Sequence, residues 1–221
     1  MNQNEGGKIH YHRPPDLQNS SVYDAKRLVQ EEIAALFSSL GKARFVSLDF
    51  ETTGLSPANN RIIEIGAHAF RMELTDTGWL SKPEASFESL VNPACSIDPK
   101  ISALNGIDEL TVSSAPYFSE LAPSFLDFIK ESILVAHNAA FDLAFLNAEL
   151  GRAKMALCTN PVYDSIVIAR TAISGLPSYS LKALAQSFGI KQQAAHRGAD
   201  DARVAKDIFV HAINLLYLGR Q

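Results

Sequence analysis

Cysteine, long apolar runs and a secretion signal are scarce or lacking in this sequence. Its 221 residues include only two cysteines, Cys95 and Cys158, and neither has a cysteine or histidine at metal-ligand spacing. We therefore expect two reduced thiols rather than a disulfide or a zinc site. No stretch approaches the roughly 18–20 apolar residues that cross a bilayer, so no membrane is expected as a partner. The polar start has no apolar core followed by a cleavage site, which predicts a cytoplasmic location.

A basic surplus is also missing, since the formal net charge is −4. Proteins that bind nucleic acid through its phosphates usually carry the opposite sign. A site that uses several carboxylates to hold divalent cations makes this count too negative, because the bound metal reverses the local charge. The acidic balance therefore does not exclude a nucleic-acid substrate. With 47% hydrophobic residues, a chain of this length can bury one sizeable core.

Three segments are predicted along the chain. Residues 1–19 are polar and rich in Asn, Gln, Gly and Pro, which predicts a mobile tail. Residues 20–41 are predicted to form an added amphipathic helix, capped by Ser21 with Asp24 and stopped by Gly41. Its apolar positions must be covered either by residues 42–221, the predicted main domain, or by a partner. These positions, which recur at helical spacing, are Val22, Ala25, Leu28, Val29, Ile33, Leu36, Phe37 and Leu40.

Short apolar runs and helical periodicities alternate through the main domain. They predict strands at residues 44–51, 62–70, 86–91 and 133–136 and near Val162, with a polar connection over about 75–84. Helices are predicted at residues 99–104, 116–130, 143–150, 165–172, 181–188 and 199–218. A meander of strands, followed by strands that alternate with helices, predicts an α/β domain with a mixed sheet covered on both faces.

Two carboxylates stand two residues apart at the end of the first predicted strand. Side chains alternate along a strand, so Asp49 and Glu51 leave the same face while Phe50 points to the other. Like charges this close oppose their joint ionisation unless a cation neutralises them. A divalent ion such as Mg²⁺ prefers carboxylate oxygen, which predicts a metal site here. The plainer alternative is an ordinary strand end with two solvated acids.

Further acids, a histidine and a glycine occur where apolar elements end. Asp142 falls in the first turn of a helix, where the helix dipole alone would also favour an acid. His196 lies in a glycine-containing loop five residues before Asp201, which is also the pattern of an exposed loop with a capping acid. Gly54 follows the acid pair and permits close approach of the backbone to a ligand, although a plain turn is the commoner reason for such a glycine.

Taken together, these segments resemble the three motifs of the DEDDh family of 3′→5′ exonucleases. The matching segments are Asp49-Phe-Glu-Thr-Thr-Gly54, His137-Asn-Ala-Ala-Phe-Asp142 and His196-x-x-x-x-Asp201. Segments that look like the branch containing the proofreading epsilon subunit of bacterial DNA polymerase III are Arg61-Ile-Ile-Glu-Ile-Gly66, Asn92-Pro93 and Tyr179-Ser-Leu-Lys-Ala-Leu184. The similarity covers about residues 44–218. It implies a ribonuclease-H-like fold, with a five-stranded mixed sheet and helices on both faces.

The resemblance also implies roles for individual residues. It assigns two divalent metal ions, Mg²⁺ with Mn²⁺ as a substitute, to four acids: Asp49 as the bridging ligand, Glu51, Asp142 and Asp201. Two such ions can stabilise both the attacking and the leaving oxygen of a phosphoryl displacement. His196 matches the general base, which suits a side chain that titrates near neutral pH. The implied substrate-binding residues are Thr52, Thr53, Gly54 and Leu55, with Asn138 and Phe141 equally well explained by loop ordering and core packing.

The expected activity is metal-dependent release of nucleoside monophosphates from DNA 3′ ends, as in proofreading or repair. The expected partners are a single-stranded or frayed 3′ end, with DNA favoured, and a DNA polymerase subunit. An RNA-directed exoribonuclease of the RNase T or oligoribonuclease type is the alternative, because those enzymes share the catalytic residues. A non-catalytic nucleic-acid-binding module is a third hypothesis, disfavoured by the complete set of acids and base. Because the chain ends at Gln221 without the epsilon subunit's polymerase-binding tail, we expect it to act alone or to dock through its N-terminal helix.

Overall fold

A computed structural model describes residues 22–219, with side chains described from residue 30 onward. The predicted tail at residues 1–19 and the capping Ser21 lie outside the described residues, and the division of the chain into three segments stays a prediction. No helix within residues 22–219 has both the length and the apolar character needed to cross a membrane. Cys95 is exposed, Cys158 is buried, and the two do not form a disulfide.

Five strands and eight helices make up the described part of the chain. The strands are β1 (Arg44–Thr52), β2 (Ile62–Thr75), β3 (Gly78–Leu90), β4 (Ser132–Ala136) and β5 (Val162–Asp164). The helices are α1 (Val22–Ser39), α2 (Pro99–Asn105), α3 (Glu109–Val112), α4 (Phe118–Ile129), α5 (Ala139–Arg152), α6 (Ser165–Ala172), α7 (Leu181–Phe188) and α8 (Gly198–Leu218). Every predicted element is present. The sequence did not predict α3, because four residues carry too little periodicity to indicate a helix.

The strands form one mixed sheet in the order β3-β2-β1-β4-β5. β1, β2 and β3 pair as an antiparallel meander, whereas β4 pairs parallel to both β1 and β5. Parallel neighbours require a crossover connection, and helices α2 to α5 supply the connections to β4 and β5. The predicted five-stranded mixed sheet of an α/β domain is therefore confirmed.

Side chains of β1 alternate between two hydrophobic cores, one on each face of the sheet. Val46 and Leu48 pack in one core with Phe125 of α4 and with residues of α5. Phe45 packs in the other with Phe209 of α8, at 5.9 Å between ring centroids, and with residues of α1, α6 and α7. Helices therefore cover both faces, as predicted, and β1 lies at the centre of the molecule.

Apolar side chains in the described second half of α1, and Leu40 just after it, are covered by the domain that follows. Ile33, Leu36 and Leu40 are buried in the same core as Trp79 of β3. α1 ends at Ser39, and Gly41 adopts the left-handed φ of 75°, as expected of the residue that stops a helix. Full burial of each such leucine or isoleucine contributes about 1.5–3 kcal/mol, so this helix is held firmly to the sheet.

The predicted polar connection between the second and third strands is wrong. β2 continues to Thr75 and β3 already begins at Gly78, so most of these residues are strand. They are polar because this end of the two-stranded ribbon is exposed, where Glu73 and Lys82 form a salt bridge of 3.2 Å. Pro83 lies at a shift in register of the edge strand β3, a position where proline is tolerated.

Candidate active site

β1 carries two of the predicted acids at its carboxyl end. Phe50 is buried in the core beneath α4 and α5, which leaves Asp49 and Glu51 together on the opposite side of the strand. Asn105, at the end of α2, donates a hydrogen bond from Nδ2 to Oε2 of Glu51 at 3.1 Å. Burial raises the pKa of Glu51, although the bond from Asn105 opposes this shift.

The third predicted acid, Asp142, reaches the same place from the first turn of α5. Its side chain is buried, and Oδ1 accepts a hydrogen bond of 3.2 Å from the backbone amide of Phe50. Burial raises the pKa of Asp142 to about 8, even though this hydrogen bond favours the ionised form. The acid expected from the helix-start pattern therefore lies directly against β1.

Asp164, at the end of β5, fixes where α5 begins. Its carboxylate accepts hydrogen bonds from the backbone amides of Asn138 at 3.2 Å and Ala139 at 3.0 Å. It also caps α6 by accepting from the amide of Ile166 at 2.9 Å. Asn138 adopts the left-handed φ of 68°, which asparagine tolerates better than most residues. One carboxylate thus holds the starts of two helices, including the turn that carries Asp142.

The fourth acid, Asp201, enters the site because the start of α8 touches the sheet. A Cβ built on Gly66 of β2 would overlap the carbonyl carbon of Gly198, so only glycine permits this approach. Asp201 is buried and accepts hydrogen bonds from the side chain of Gln192 at 2.6 Å and the backbone amide of His196 at 3.1 Å. Burial nevertheless raises the pKa of its carboxyl group.

The loop between α7 and α8 presents His196 to the solvent side of these acids. His196 has a left-handed φ of 59°, and the next residue anchors the loop. Arg197 donates from Nη2 at 2.6 Å and Nε at 3.1 Å to Oε1 of the buried Glu64 on β2. The amide of Gly198 donates to the other oxygen of that carboxylate at 2.8 Å.

The four acids share one small volume. Burial is the largest cause that raises the pKa of Asp49 well above its ordinary value, and the charges of Asp142, Asp201 and Glu51 raise it further. Ligand atoms of Glu51, His196 and Asp201 lie within 4.8 Å of one another. Crowded carboxylates with raised pKa values favour a neutralising cation, and this donor set can hold a divalent metal ion.

The predicted nucleotide-binding residues begin at Thr52, the last residue of β1, and continue into the turn after it. Thr52 and Thr53 are buried, and the Thr52 hydroxyl donates to the carbonyl oxygen of Gly54 at 2.7 Å. A Cβ at Gly54 would meet the side chain of Asn60 at 2.7 Å, so packing within this segment already explains the glycine. Leu55 is 85% exposed, which leaves a large apolar side chain uncovered next to the acids.

The two remaining candidates lie around the start of α5 and differ in exposure. Asn138 is exposed immediately before the helix. Phe141 is half-buried against the core, with its ring centroid 4.8 Å from that of Phe145. Packing alone accounts for the position of Phe141, whereas Asn138 remains accessible to a ligand.

Several polar residues that support the acids were not predicted as site residues. Glu64 and Arg197 fall within segments that resemble the exonuclease family, and this resemblance was the only signal of their importance. Asp164, Asn105 and Gln192 gave none, because each makes its contact with a residue distant in the sequence or across a loop. Residues of this kind become visible only when the fold brings them together.

Comparison with known proteins supports the resemblance seen in the motifs. A family model with the description Exonuclease, named RNase_T, matches residues 46–209. The chain belongs to this exonuclease family. It is 38% identical over 194 residues to the DNA polymerase III subunit epsilon of Treponema pallidum, with 87% of this chain and 82% of that protein covered.

This exonuclease is also similar to one further protein in sequence and to one solved structure in fold. It is 38% identical over 176 residues to the PolC-type DNA polymerase III of Caldanaerobacter subterraneus subsp. tengcongensis, where it covers 79% of this chain and spans only 12% of that protein. A solved 3′-exonuclease that recognises the histone mRNA stem-loop superimposes with a TM-score of 0.67 at 17% identity, covering 88% of this chain and 75% of that one. The structural likeness shows a shared fold, and the predicted ribonuclease-H-like architecture is confirmed.

Proposed function

We propose that this exonuclease removes nucleotides from DNA 3′ ends and releases nucleoside monophosphates, as in proofreading or repair of the epsilon type. The observation that carries the proposal is the convergence of four acids from β1, α5 and α8 beside the His196 imidazole. The sequence similarity to an epsilon subunit over 82% of that protein's length favours DNA as the substrate.

Asp49, Glu51, Asp142 and Asp201 are the proposed ligands of two Mg²⁺ ions. Their raised pKa values mean that the metal-free site resists full ionisation, and a cation removes this cost. Carboxylate oxygen suits Mg²⁺ and also Mn²⁺. When bound, such ions would lower the pKa of a water molecule and neutralise charge on the phosphoryl and leaving oxygens.

His196 is the proposed general base. Its ring lies near the carboxylates of Glu51 and Asp201, on the exposed side where water and a phosphodiester can approach. A neutral imidazole there accepts the proton of the attacking water as the oxygen–phosphorus bond forms. The hydrogen bond from its backbone amide to Asp201 and the anchor at Arg197 fix the backbone of the loop that carries this ring.

Residues 52–55, at the end of β1 and just after it, are proposed to bind the terminal nucleotide. The backbone at Thr52 would contact the 3′ hydroxyl, with Thr53 and Gly54 shaping the pocket and the exposed Leu55 against the base. Asn138 and Phe141 would line the opposite side, next to Asp142. Aliphatic contact with a base needs no sequence-specific hydrogen bond, which suits an enzyme that accepts every nucleotide in turn.

We also propose that the protein acts in the cytoplasm with a DNA polymerase as its partner. Ile33 and Leu36 of α1 and the following Leu40 are buried against the domain, so these three side chains do not form the docking surface while the core is folded. A polymerase that docks on α1 would have to contact its other positions. Co-purification of a tagged chain with its native polymerase, compared with a tag-only control, tests this partnership.

One digestion experiment tests the main proposal. Matched DNA and RNA oligonucleotides labelled at the 5′ end, single-stranded or with a 3′ mismatch, are incubated with Mg²⁺, Mn²⁺ or EDTA. We expect a ladder that shortens from the 3′ end, faster on DNA, dependent on metal and absent in Asp49→Ala. Faster RNA digestion would replace the DNA assignment with the exoribonuclease one. Activity in EDTA or undiminished activity of the variant would refute the metal mechanism.

A further inference from the structure

The last two turns of α5 contain an ion pair that faces the end of the sheet. Glu149 is only 6% exposed, and its Oε1 accepts a hydrogen bond of 3.2 Å from the backbone amide of Ile62, the first residue of β2. Arg152 forms a salt bridge with both oxygens of this carboxylate, at 2.8 Å from Nη2 to Oε1 and 3.1 Å from Nε to Oε2. The buried charge of Glu149 is therefore compensated, and both residues are held in one geometry.

Arg152 also reaches the connection between β1 and β2. Its Nη1 donates to the carbonyl oxygen of Pro57 at 2.9 Å, and Nη2 donates to that of Asn60 at 3.2 Å. A guanidinium group presents its donors in a rigid planar fork, so one side chain can bind a carboxylate and two carbonyls at once. The ammonium group of lysine lacks this geometry.

Asn60, whose carbonyl oxygen is bound by Arg152, is also hydrogen-bonded through its side chain to the predicted nucleotide-binding residues. Its Oδ1 accepts from the amide of Ser56 at 3.0 Å, and its Nδ2 donates to the carbonyl oxygen of Thr53 at 3.4 Å. The amide of Thr53 in turn donates to the carbonyl oxygen of Arg61 at 2.9 Å. The segment that carries Leu55 is thus closed into a compact loop, and Arg152 holds its far side.

We propose that Glu149 and Arg152 are positioning residues for the nucleotide-binding segment 52–55. The inference rests on the proposed exonuclease function, in which this segment binds the terminal nucleotide. α5 carries Asp142 in its first turn and Arg152 at its last residue, so one helix links the position of Asp142 to that of the nucleotide-binding segment. Neither residue touches the reacting atoms.

A positioning role predicts a particular kinetic change. A displaced pocket binds the substrate and the transition state less tightly to a similar degree, which raises KM and leaves kcat nearly unchanged. A role only in general stability would lower the active fraction of the enzyme, and therefore the apparent kcat, at constant KM. The split between KM and kcat distinguishes these two roles.

The test compares Arg152→Lys and Arg152→Met with the wild type on a single-stranded DNA oligonucleotide. Arg152→Lys keeps a cation for Glu149 and so protects the fold, while Arg152→Met removes the whole anchor. Arg71→Met is the matched control, because Arg71 also binds one carboxylate, Glu84 at 2.6 Å, and one backbone carbonyl, that of Lys42 at 3.2 Å, on a different part of the sheet. We expect roughly a ten-fold higher KM for Arg152→Met, equivalent to about 1.4 kcal/mol, a smaller rise for Arg152→Lys and none for Arg71→Met.

Hydrogen exchange of the metal-free protein supplies a readout that needs no activity. Backbone amides of residues 53–61 should exchange faster in both Arg152 variants and at the wild-type rate in Arg71→Met. An active wild type whose Arg152 variants keep both KM and exchange rates would overturn the positioning role alone. A wild type that degrades neither DNA nor RNA would overturn the proposed function, and with it the role of this anchor in substrate binding.

Discussion

In the absence of divalent ions, the free energy of unfolding of this protein should decrease as the pH rises. The folded pKa of Asp142 is about 8, against an ordinary value of 3.8, and the pKa values of Asp49, Glu51 and Asp201 are raised as well. Between these limits the folded state binds more protons than the unfolded state, because the unfolded acids are already ionised. The free energy of unfolding therefore decreases as pH increases, over the window from about pH 4 to about pH 8.

The size of the effect follows from the Asp142 carboxyl group. Each pKa unit corresponds to about 1.4 kcal/mol, so the change from pH 5 to pH 8 has an upper limit of about 4 kcal/mol for this group. Water that enters an opened metal-free site would reduce this figure. For a chain of this length, about 1 kcal/mol shifts the melting temperature by roughly 2–4 °C. A fall of several degrees is therefore expected in EDTA.

Thermal unfolding in EDTA and in Mg²⁺, at pH 5, 6.5 and 8, measures this effect. Mg²⁺ should stabilise the protein most at pH 8, because metal and protons compete for the same carboxylates. Asp49→Asn removes one crowded charge, so we expect a flatter pH dependence in EDTA and a smaller Mg²⁺ shift. Asp127→Asn, on the exposed surface of α4, is the matched control and should behave as the wild type.

Two results would refute the reasoning. A melting temperature in EDTA that stays constant or rises from pH 5 to pH 8 would mean that the acids are not crowded in the folded protein. An equal Mg²⁺ shift in the wild type and in Asp49→Asn would mean that the ion binds somewhere other than this cluster.

Four further predictions concern single positions in β2, in α5, at the end of β5 and in the loop before α8. Gly66→Ala should destabilise the protein by about 3 kcal/mol and abolish nuclease activity, because the added Cβ would overlap the start of α8. Gly151→Ala should stabilise the protein by about 0.5–1 kcal/mol, because a Cβ at this position inside α5 meets nothing within 4 Å. Chemical denaturation measures both changes. Asp164→Ala should cost about 0.5–2 kcal/mol and raise the Mg²⁺ concentration for half-maximal activity, since it frees the turn that carries Asp142. His196→Ala should lower kcat by about 10²–10⁴-fold in steady-state assays, and a variant with the wild-type kcat would assign the base to another group.

Local patterns in the sequence were sufficient to predict most of the fold. β1 is a short apolar run because both of its faces are buried, and the helices α6 and α7 have the predicted bounds because apolar residues recur at helical spacing. The exposed ribbon of β2 and β3 was partly mistaken for a loop. In β3 the neighbours Trp79 and Leu80 are both apolar and the neighbours Ser81 and Lys82 are both polar, so the alternation that indicates a strand is missing.

The sequence predicted those acids of the candidate site that lie at the end of a strand or the start of a helix. Strand alternation predicts that Asp49 and Glu51 share a face, and Asp142 and Asp201 were predicted at the starts of helices. The convergence of these helix starts at β1 is a property of the topology. Their catalytic roles stay predictions. Contacts such as that between Glu64 and Arg197 join residues far apart in the chain, and no local pattern specifies such a pair.

The acids of the cluster come from β1, α5 and α8, so the proposed metal site can assemble only after α8 has been synthesised. A nascent chain that has emerged through α5 carries Asp49, Glu51 and Asp142 but still lacks Asp201 and the imidazole loop. Local opening of α8 in the finished protein would have the same effect. On the proposed mechanism, activity towards nucleic acid therefore requires α8 to be folded against the sheet.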